Sequence, residues 1–195
     1  MKDTHELSEY FLENITEMLS KKGVKTSGWQ EVALHHSPEM NARIAPRFAG
    51  VYCWSTIGKR DVVPYTVANE GYDVILCNVN NLYIDLAYNP HKDEPGLTWG
   101  GYVNEVTSFN ILPYNIYCSA RENTVGEKNN LKTAGKGKIQ LTEQSRPRIK
   151  GVQAQLFSET IGSFVMVQYY VFPKIFGLVE RGWNAYPEWS PVPND

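Results

Sequence analysis

The sequence contains few cysteines and shows no pattern that would bind a metal. Its three cysteines, Cys53, Cys77 and Cys118, are an odd number and lack metal-ligand spacing. Cys53 and Cys77 lie within apolar runs, so we expect them to behave as small buried hydrophobic residues. His35 and His36 have no carboxylate or cysteine at ligand spacing, and we interpret the pair as helix surface. We therefore expect no metal site and no cofactor.

Long hydrophobic runs, glycine-rich nucleotide motifs and a strong excess of one charge are also absent. No apolar run approaches the roughly 18 residues of a membrane span, and the polar start MKDTHELSEY has no signal-peptide core. We therefore expect a soluble chain with no export signal and no membrane partner. The 19 Lys and Arg against 21 Asp and Glu argue against nucleic-acid binding. Neither GxGxxG nor GxxxxGK[ST] occurs, so a nucleotide site has no support.

Aromatic residues are abundant, at 12% of the chain, with 5 Trp and 12 Tyr. Aromatic rings in clefts commonly recognise sugars, whose C–H faces are apolar, but rings also pack protein cores. A sugar site and an aromatic core therefore remain alternatives at this point.

Apolar periodicities predict an α/β fold with parallel strands. Helical spacing covers 3–22, 62–70, 107–117 and 164–183, and the last helix contains Pro173, which indicates a kink or a late start. Strand-like runs cover 25–32, 48–54, 73–79 and 149–157. A long loop spans 80–106, and the polar stretch 119–138 is predicted to be an exposed connection. This alternation indicates βαβ units, and four strands suit part of a closed barrel.

Side chains typical of a ligand site follow these predicted strands. In a (β/α)8 barrel, functional residues gather where the strands end; these positions hold Trp29 with Glu31, Trp54, Tyr83 with Asp85, and Phe157 with Glu159. Rings beside carboxylates suit a neutral sugar. Simpler interpretations stay open: a strand-end Trp can pack in the core or at the rim, Glu31 could face solvent, Asp85 could cap a turn, and Glu159 could serve the following helix. Asp93-Glu94, in HKDEPG, is interpreted as a solvated turn.

Several motifs resemble one family when they are taken in order. They are GWQEV, FAGVYCWS, GYDVILCN, LYIDLAYNPHKDEPGLTWGGY, GVQAQLFSE and VFPKIFGLVERGW. Together they resemble the C-terminal half of the catalytic barrel of family-twenty β-N-acetylhexosaminidases, in a variant similar to that of gut Bacteroidetes. The resemblance covers about residues 7–189. It implies that residues 1–195 form one partial catalytic domain, about strands five to eight of a (β/α)8 barrel.

The resemblance also implies a chemistry and a role for individual residues. In this family the 2-acetamido carbonyl of the substrate attacks the anomeric carbon, an Asp orients the acetamido N–H, and the adjacent Glu is the general acid and base. Trp29 and Trp54 match pocket walls, Tyr83 matches the donor to the acetamido carbonyl oxygen, Asp85 matches an acceptor from the outer hydroxyls, Trp99 lies near these hydroxyls, and Glu159 matches the acid that binds the far side of the ring.

Two departures from the family pattern limit the implied function. Phe157 stands where the family usually has Trp, and no His-x-Gly-Gly-Asp-Glu segment occurs. Asp93-Glu94 cannot replace that catalytic pair, since it belongs to a later loop. The resemblance thus implies a fragment that carries the sugar-binding walls, lacks the general acid and is inactive alone. The alternatives are a non-catalytic N-acetylhexosamine-binding or scaffold module, and a different glycosidase that uses Asp85 and Glu159.

A partial barrel also implies partners. It would leave two edge strands and part of an apolar interior uncovered. We therefore expect pairing with a second copy or with an N-terminal half-barrel, and binding to a glycan that contains N-acetylhexosamine. Proteins of this family are usually periplasmic, secreted or lysosomal, and the compartment of this chain stays open.

Overall fold

Parallel strands form the centre of the molecule. In the computed structural model, which describes residues 4–190, four strands form one sheet in the order β1-β2-β3-β4, and every neighbouring pair is parallel. The strands are β1 (Thr26–Trp29), β2 (Phe48–Cys53), β3 (Val74–Leu76) and β4 (Ile149–Val152). Sequential parallel order requires a crossover after each strand, so the predicted α/β class is confirmed.

Helices connect and flank these strands. The described residues form α1 (Thr4–Ser20), α2 (Pro38–Ile44), α3 (Val63–Asn69), α4 (Val79–Leu82), α5 (Glu105–Phe109), α6 (Phe164–Val171) and α7 (Ile175–Trp183). Short 3₁₀ helices add Gln30–Ala33, Ala45–Arg47, Gly58–Val62, Ile116–Cys118 and Glu143–Arg148. Helix α2 was not predicted, although Ser37 caps it through the Met40 amide and Pro38 occupies its first turn.

One core joins the sheet to the helices that cross over between its strands. Ile44 of α2 and Val67 of α3 are fully buried in the same cluster as Val51 of β2 and Val74 of β3. β-Branched side chains in short runs suit strands covered by helices, and they explain why these segments form the sheet. All three cysteines are free and buried, which confirms the expectation for Cys53 and Cys77.

The structure corrects two of the predicted helices. The helix predicted over 164–183 is two helices, because Pro173 lies between α6 and α7 and has no amide hydrogen for a helical bond. The helix predicted over 107–117 is also wrong. Helix α5 begins at Glu105, capped by Asn104, and ends at Phe109, ahead of Pro113. Apolar spacing alone did not locate these ends.

The last strand and the histidine pair also differ from the sequence prediction. Strand β4 ends at Val152, and Leu156 and Phe157, which the pattern placed in the strand, are 37% and 40% exposed. His35 and His36 lie in a loop rather than on a helix, and the His36 Nδ1 contacts Glu9 Oε1 at 2.9 Å. Residues 121–138 are largely exposed and contain neither helix nor strand, whereas Ser119 is buried.

Helix α1 turns its apolar stripe away from the rest of the chain. Leu12 packs against the core, and Glu13 accepts from Arg43 Nε at 2.8 Å and, through its carbonyl, from Arg47 Nη1 at 3.1 Å, so this side of the helix faces the rest of the chain. The stripe on the other side is 49–65% exposed and consists of Leu7, Tyr10, Phe11 and Met18. An amphipathic helix normally buries this stripe. The described residues leave it uncovered.

A second apolar surface lies at the other end of the chain, on α6 and α7. Its side chains are 48–90% exposed: Phe164, Val165, Phe172, Phe176, Val179 and Trp183. Helix α1 contacts β1 and α7 contacts β4, which are the two edge strands. Both open edges of the sheet are therefore flanked by apolar helix surfaces. None of the described helices is long and apolar enough to cross a membrane.

Candidate active site

A cleft of about 440 Å³ lies at the carboxyl ends of the strands. Its lining contains every residue that the sequence singled out: Trp29, Trp54, Tyr83, Asp85, Trp99, Phe157 and Glu159, together with Glu31 and Leu97. The parallel strands bring these separate segments to one edge of the sheet, as a barrel does. Tyr83 and Asp85 are buried, at 5% and 4% exposed, and they form the floor of the cleft.

Aromatic rings form the walls around Tyr83. Its ring centroid lies 5.5 Å from that of Phe157, 5.8 Å from that of Trp99 and 6.4 Å from that of Trp54. Trp29 packs on Tyr52 at 6.0 Å and extends the wall along β1. These are the usual separations of tilted and edge-on ring contacts, so the rings support one another without a ligand. The arrangement leaves an apolar surface facing the cleft.

The 3₁₀ helix after β1 holds Trp54 in place. Oε1 of Gln30 accepts from the backbone amides of Trp54 and Ser55, both at 3.0 Å. Oε1 of Glu31 accepts from Trp54 Nε1 at 3.1 Å, which fixes the rotation of the indole. The sequence prediction did not include Gln30, and it left Glu31 as a solvent-facing alternative. A buried glutamine has no periodic signal in a sequence, so its role appears only in the structure.

Asp85 is a buried carboxyl with an unsatisfied oxygen. Its Oδ1 has no hydrogen-bond partner among the described residues. Burial raises the pKa of Asp85, and the charge of Glu159 acts in the same direction, whereas backbone amides and Lys174 oppose them. A polar oxygen without a partner at such a site costs free energy in the ligand-free protein. A ligand hydroxyl in the cleft would remove that cost.

Tyr83 presents a hydroxyl that stays protonated. Burial is the main cause that raises the pKa of Tyr83 well above its usual range. Its backbone forms an isolated parallel bridge with Gln155, and the Ile84 amide donates to the Gln155 carbonyl at 2.9 Å. The segment after β4 therefore fixes the segment that carries Tyr83 and Asp85. A neutral phenol is a hydrogen-bond donor at all ordinary pH values.

Trp99 reaches the cleft because the chain passes closely over Asp85. The Ala87 amide donates to the Leu97 carbonyl at 3.0 Å, which aligns the two segments. Gly96, at φ +109°, makes this approach possible, since a Cβ there would lie 2.7 Å from the Ala87 nitrogen. Trp99 is 50% exposed and forms the rim.

Glu159 and Glu94 differ from their simpler interpretations. Helix α6 is capped by Ser163, and no acidic residue lies in its first turn, so Glu159 does not serve that helix. Glu159 is exposed at the cleft rim. Asp93 is solvated, but Glu94 accepts from the Tyr169 hydroxyl at 2.8 Å and from the Tyr88 amide at 3.2 Å. Asp93-Glu94 is therefore only in part a solvated turn.

Replacing Asp85 by asparagine is expected to stabilise the ligand-free chain. A carboxyl with a raised pKa costs stability when it is ionised, and the cost disappears as the pH falls below its folded-state pKa. At pH 7 we expect Asp85→Asn to raise the free energy of unfolding, because the substitution removes the ionised carboxylate from its buried position. The difference should shrink towards pH 4. Urea denaturation at both pH values measures it.

Asp93→Asn provides the matched control for this substitution. The Asp93 side chain is 72% exposed, so its replacement should leave the free energy of unfolding unchanged at both pH values. A loss of stability in Asp85→Asn at pH 7 would show instead that the ionised carboxylate is well solvated or paired in the folded chain.

A larger cavity, of about 580 Å³, lies apart from this cleft. It is lined by amide side chains such as Asn78, Asn80 and Asn130 and by none of the seven predicted site residues. The described part of the chain holds no group of three or more His, Cys, Asp or Glu that could bind a metal. The aromatic cleft is therefore the candidate site, because rings and a buried carboxylate converge there.

The chain is similar in sequence to several curated proteins. The beta-hexosaminidase of Vibrio vulnificus is 28% identical over 188 residues, which are 94% of this chain and 21% of that protein. The N,N'-diacetylchitobiase of Vibrio harveyi is 29% identical over 189 residues, which are 93% of this chain and 20% of that protein. The chain therefore spans about a fifth of the length of these curated relatives.

Solved structures share the fold. A GH20 exo beta-N-acetylglucosaminidase from Vibrio harveyi, in complex with N-acetylglucosamine, aligns with 96% of this chain and 25% of its own, at a TM-score of 0.66 and 23% identity. The GH20 beta-N-acetylhexosaminidase from Streptomyces coelicolor aligns with 93% of this chain and 31% of its own, at a TM-score of 0.63 and 22% identity. This likeness confirms that the sheet is part of a (β/α)8 barrel.

A family model matches nearly the whole of the described chain. The model of "Glycosyl hydrolase family 20, catalytic domain" matches residues 1–186, which include all four strands and every residue of the cleft. The resemblance drawn from the motifs is thereby confirmed. The chain belongs to glycosyl hydrolase family 20 and forms part of its catalytic domain.

Proposed function

We propose that this chain is the sugar-binding half of a β-N-acetylhexosaminidase active site. The observation that carries the proposal is the buried Asp85 oxygen without a partner, on the floor of a cleft walled by aromatic rings. A ring stacks well on the C–H face of a sugar, and a carboxylate accepts from its hydroxyls. Both features are present here in one cleft, and the family relationship supports the acetamido sugar as the ligand.

Each side chain has a part in this proposal. Trp29, Trp54 and Phe157 wall the acetamido group and the sugar ring. The neutral Tyr83 hydroxyl donates to the acetamido carbonyl oxygen, which aligns that oxygen with the anomeric carbon. Asp85 accepts from the outer hydroxyls. Glu159, on the rim, accepts from hydroxyls on the far side, and Trp99 closes the outer end of the cleft.

The bond-breaking step needs groups that the 195 residues do not supply. In the proposed reaction the acetamido oxygen bonds to the anomeric carbon while the glycosidic C–O bond breaks, and an acid protonates the departing oxygen; water then opens the oxazolinium intermediate. No Gly-Gly-Asp-Glu segment occurs in the sequence. We propose that an N-terminal half-barrel contributes this pair, and that the present chain contributes binding and alignment of the internal nucleophile.

Titration with N-acetylglucosamine tests the proposed binding. In ¹H–¹⁵N spectra the indole signals of Trp29, Trp54 and Trp99 should shift saturably, whereas those of Trp183 and Trp189, which lie outside the cleft, should not. Glucose, which lacks the acetamido group, should shift them less at the same concentration. Equal shifts with glucose, or no saturation with N-acetylglucosamine, would contradict the proposal.

The exposed apolar surfaces support the proposed half-barrel partner. Helix α1 and helices α6–α7 flank the two edge strands of the sheet, and each presents uncovered aromatic side chains. Between α5 and α7 lies an apolar groove of about 560 Å³, lined by Val106, Phe109 and Phe176 among others. Contiguous apolar patches of this kind mark protein interfaces. The remaining strands of the barrel would pair with the open sheet edges, and its remaining helices would cover both apolar surfaces.

Without that partner, the chain is expected to self-associate through these surfaces at micromolar concentration. The double variant Phe11→Glu, Trp183→Glu places a charge on each surface, and it should shift the chain towards monomer in sedimentation velocity experiments. Phe11 is 65% exposed and Trp183 is 90% exposed, so the substitutions should not unfold the chain. A wild-type chain that remains monomeric would contradict the prediction.

The control for this experiment is Val125→Glu. Val125 is 71% exposed but lies in the loop after Cys118, away from α1, α6 and α7. It adds a charge at an exposed apolar position outside the two surfaces, so self-association should be unchanged. Equal dissociation of this variant would mean that net charge, rather than the two surfaces, controls association.

A further inference from the structure

The junction between α6 and α7 contains a fully buried lysine whose side chain lies outside the cleft lining. Lys174 is 0% exposed. Its Nζ donates to the carbonyl oxygens of Ile84 at 2.8 Å and Leu86 at 2.7 Å, which are the residues on either side of Asp85. Lysine is almost never fully buried unless its ammonium is paired. Here the ammonium instead holds the backbone of the segment that forms the floor of the cleft.

Neighbouring contacts fix the lysine itself. Its Nζ lies 3.8 Å from the ring centroid of Tyr88, a cation–π contact, and its carbonyl accepts from Ser108 Oγ at 2.7 Å. The Tyr88 hydroxyl lies 2.7 Å from the Tyr169 carbonyl oxygen and 2.9 Å from that of Phe172. The junction and the segment that follows Asp85 are therefore joined from both sides.

Electrostatic interaction, in addition to geometry, links Lys174 to Asp85. Burial lowers the pKa of Lys174 to about 7, against the opposing charges of Glu94, Asp85 and Glu105. The positive charge of Lys174 in turn lowers the pKa of Asp85, in opposition to burial and to Glu159. The lysine therefore bears on both the position and the ionisation of the buried carboxyl.

We propose that Lys174 is a positioning residue of the sugar cleft, which holds the carbonyls on either side of Asp85 so that the carboxylate faces the sugar hydroxyls. The inference rests on the proposed function, because it gives Lys174 an indirect role in binding the sugar hydroxyls that Asp85 would contact. Lys174 has no direct contact with the sugar in this proposal. Its effect must therefore pass through Asp85, and this gives a test that separates positioning from general support of the fold.

The test compares Lys174→Met with Lys174→Arg. Methionine keeps much of the apolar stem and removes the donors, whereas arginine keeps donors and charge. Each variant is titrated with N-acetylglucosamine and with its 4-deoxy and 6-deoxy analogues. Lys174→Met should bind N-acetylglucosamine about 10-fold more weakly. Wild type should prefer N-acetylglucosamine to the analogue that lacks the hydroxyl bound by Asp85. Lys174→Met and Asp85→Asn should both lose this preference, and Lys174→Arg should keep it.

A purely structural lysine would give a different result. Lys174→Met would then weaken binding of N-acetylglucosamine and both analogues by one common factor, and this outcome would overturn the proposal. Thermal unfolding of each variant is recorded in parallel, so that binding is compared only among folded chains.

A second readout does not depend on the sugar. In the ligand-free chain, ¹³C-detected titration of the Asp85 carboxyl should give a higher pKa in Lys174→Met than in wild type, and little change in Lys174→Arg. An unchanged Asp85 pKa would overturn the inference. If wild type fails to bind N-acetylglucosamine, the proposed function falls, and this titration still decides whether Lys174 acts on Asp85.

Discussion

The purified chain is expected to hydrolyse an aryl N-acetyl-β-glucosaminide no faster than buffer does. The cleft supplies rings, a phenol and acceptor carboxylates, but no Asp-Glu pair of the family type occurs in the sequence. General acid catalysis alone typically contributes 10²- to 10⁴-fold. We therefore expect the rate to be at least about 10²-fold below that of the full-length Vibrio harveyi diacetylchitobiase assayed in parallel.

Two variants make this result unambiguous. Asp85→Asn, purified in the same way, reports contaminating hexosaminidase, because any rate that the variant shares with wild type comes from another protein. Turnover that is present in wild type and absent in both Asp85→Asn and Glu159→Gln would contradict the account. It would favour instead the different glycosidase, in which these two carboxylates act as the catalytic pair.

Trp54→Ala is expected to reduce the affinity for N-acetylglucosamine by about 30-fold, the loss typical of an aromatic residue at the centre of a binding surface. Trp54 is in ring contact with both Tyr83 and Trp99, and its position is fixed by Gln30 and Glu31. Removal of the indole takes away one wall and leaves the Glu31 carboxylate without this donor. Isothermal titration calorimetry or the indole shifts measure the change.

The matched control is Trp183→Ala, which removes the same side chain from a position that is 90% exposed and outside the cleft. Its affinity for N-acetylglucosamine should equal that of wild type. Equal losses in both variants would indicate that the ligand binds tryptophans indiscriminately. An unchanged affinity in Trp54→Ala would remove this residue from the proposed wall.

Much of the cleft could be predicted from the sequence because strand ends are local features. Trp29 ends the short extended segment that forms β1, Trp54 directly follows the apolar run that forms β2, and parallel strands bring their carboxyl ends together whatever the lengths of the loops. Tyr83, Asp85 and Trp99 lie in a loop that no periodicity describes. Tyr83 and Asp85 were placed after the third predicted strand, whereas the place of Trp99 was predicted only from the resemblance to the family. The structure brings all three into the same cleft.

The features that sequence reasoning missed depend on contacts between distant segments. Gln30 and Lys174 are polar residues that bond to backbone groups 24 and 88 to 90 positions away, and nothing beside them in the sequence marks those partners. The division of the last helix at Pro173 was foreseen only as a kink or late start. The helical spacing of α1 was recognised, but the outward direction of its exposed apolar residues depends on the tertiary contacts of Leu12 and Glu13 on the other side of the helix.

In the proposed function, N-acetylhexosamine binds in the aromatic cleft with its acetamido group beside Tyr83. Isotope-filtered NOE spectroscopy of the labelled chain with unlabelled N-acetylglucosamine measures this directly. We expect NOEs from the acetamido methyl protons to ring protons of Tyr83 and Trp54. NOEs to residues outside the cleft, such as those lining the amide-rich cavity, or no NOEs at saturating sugar, would contradict it.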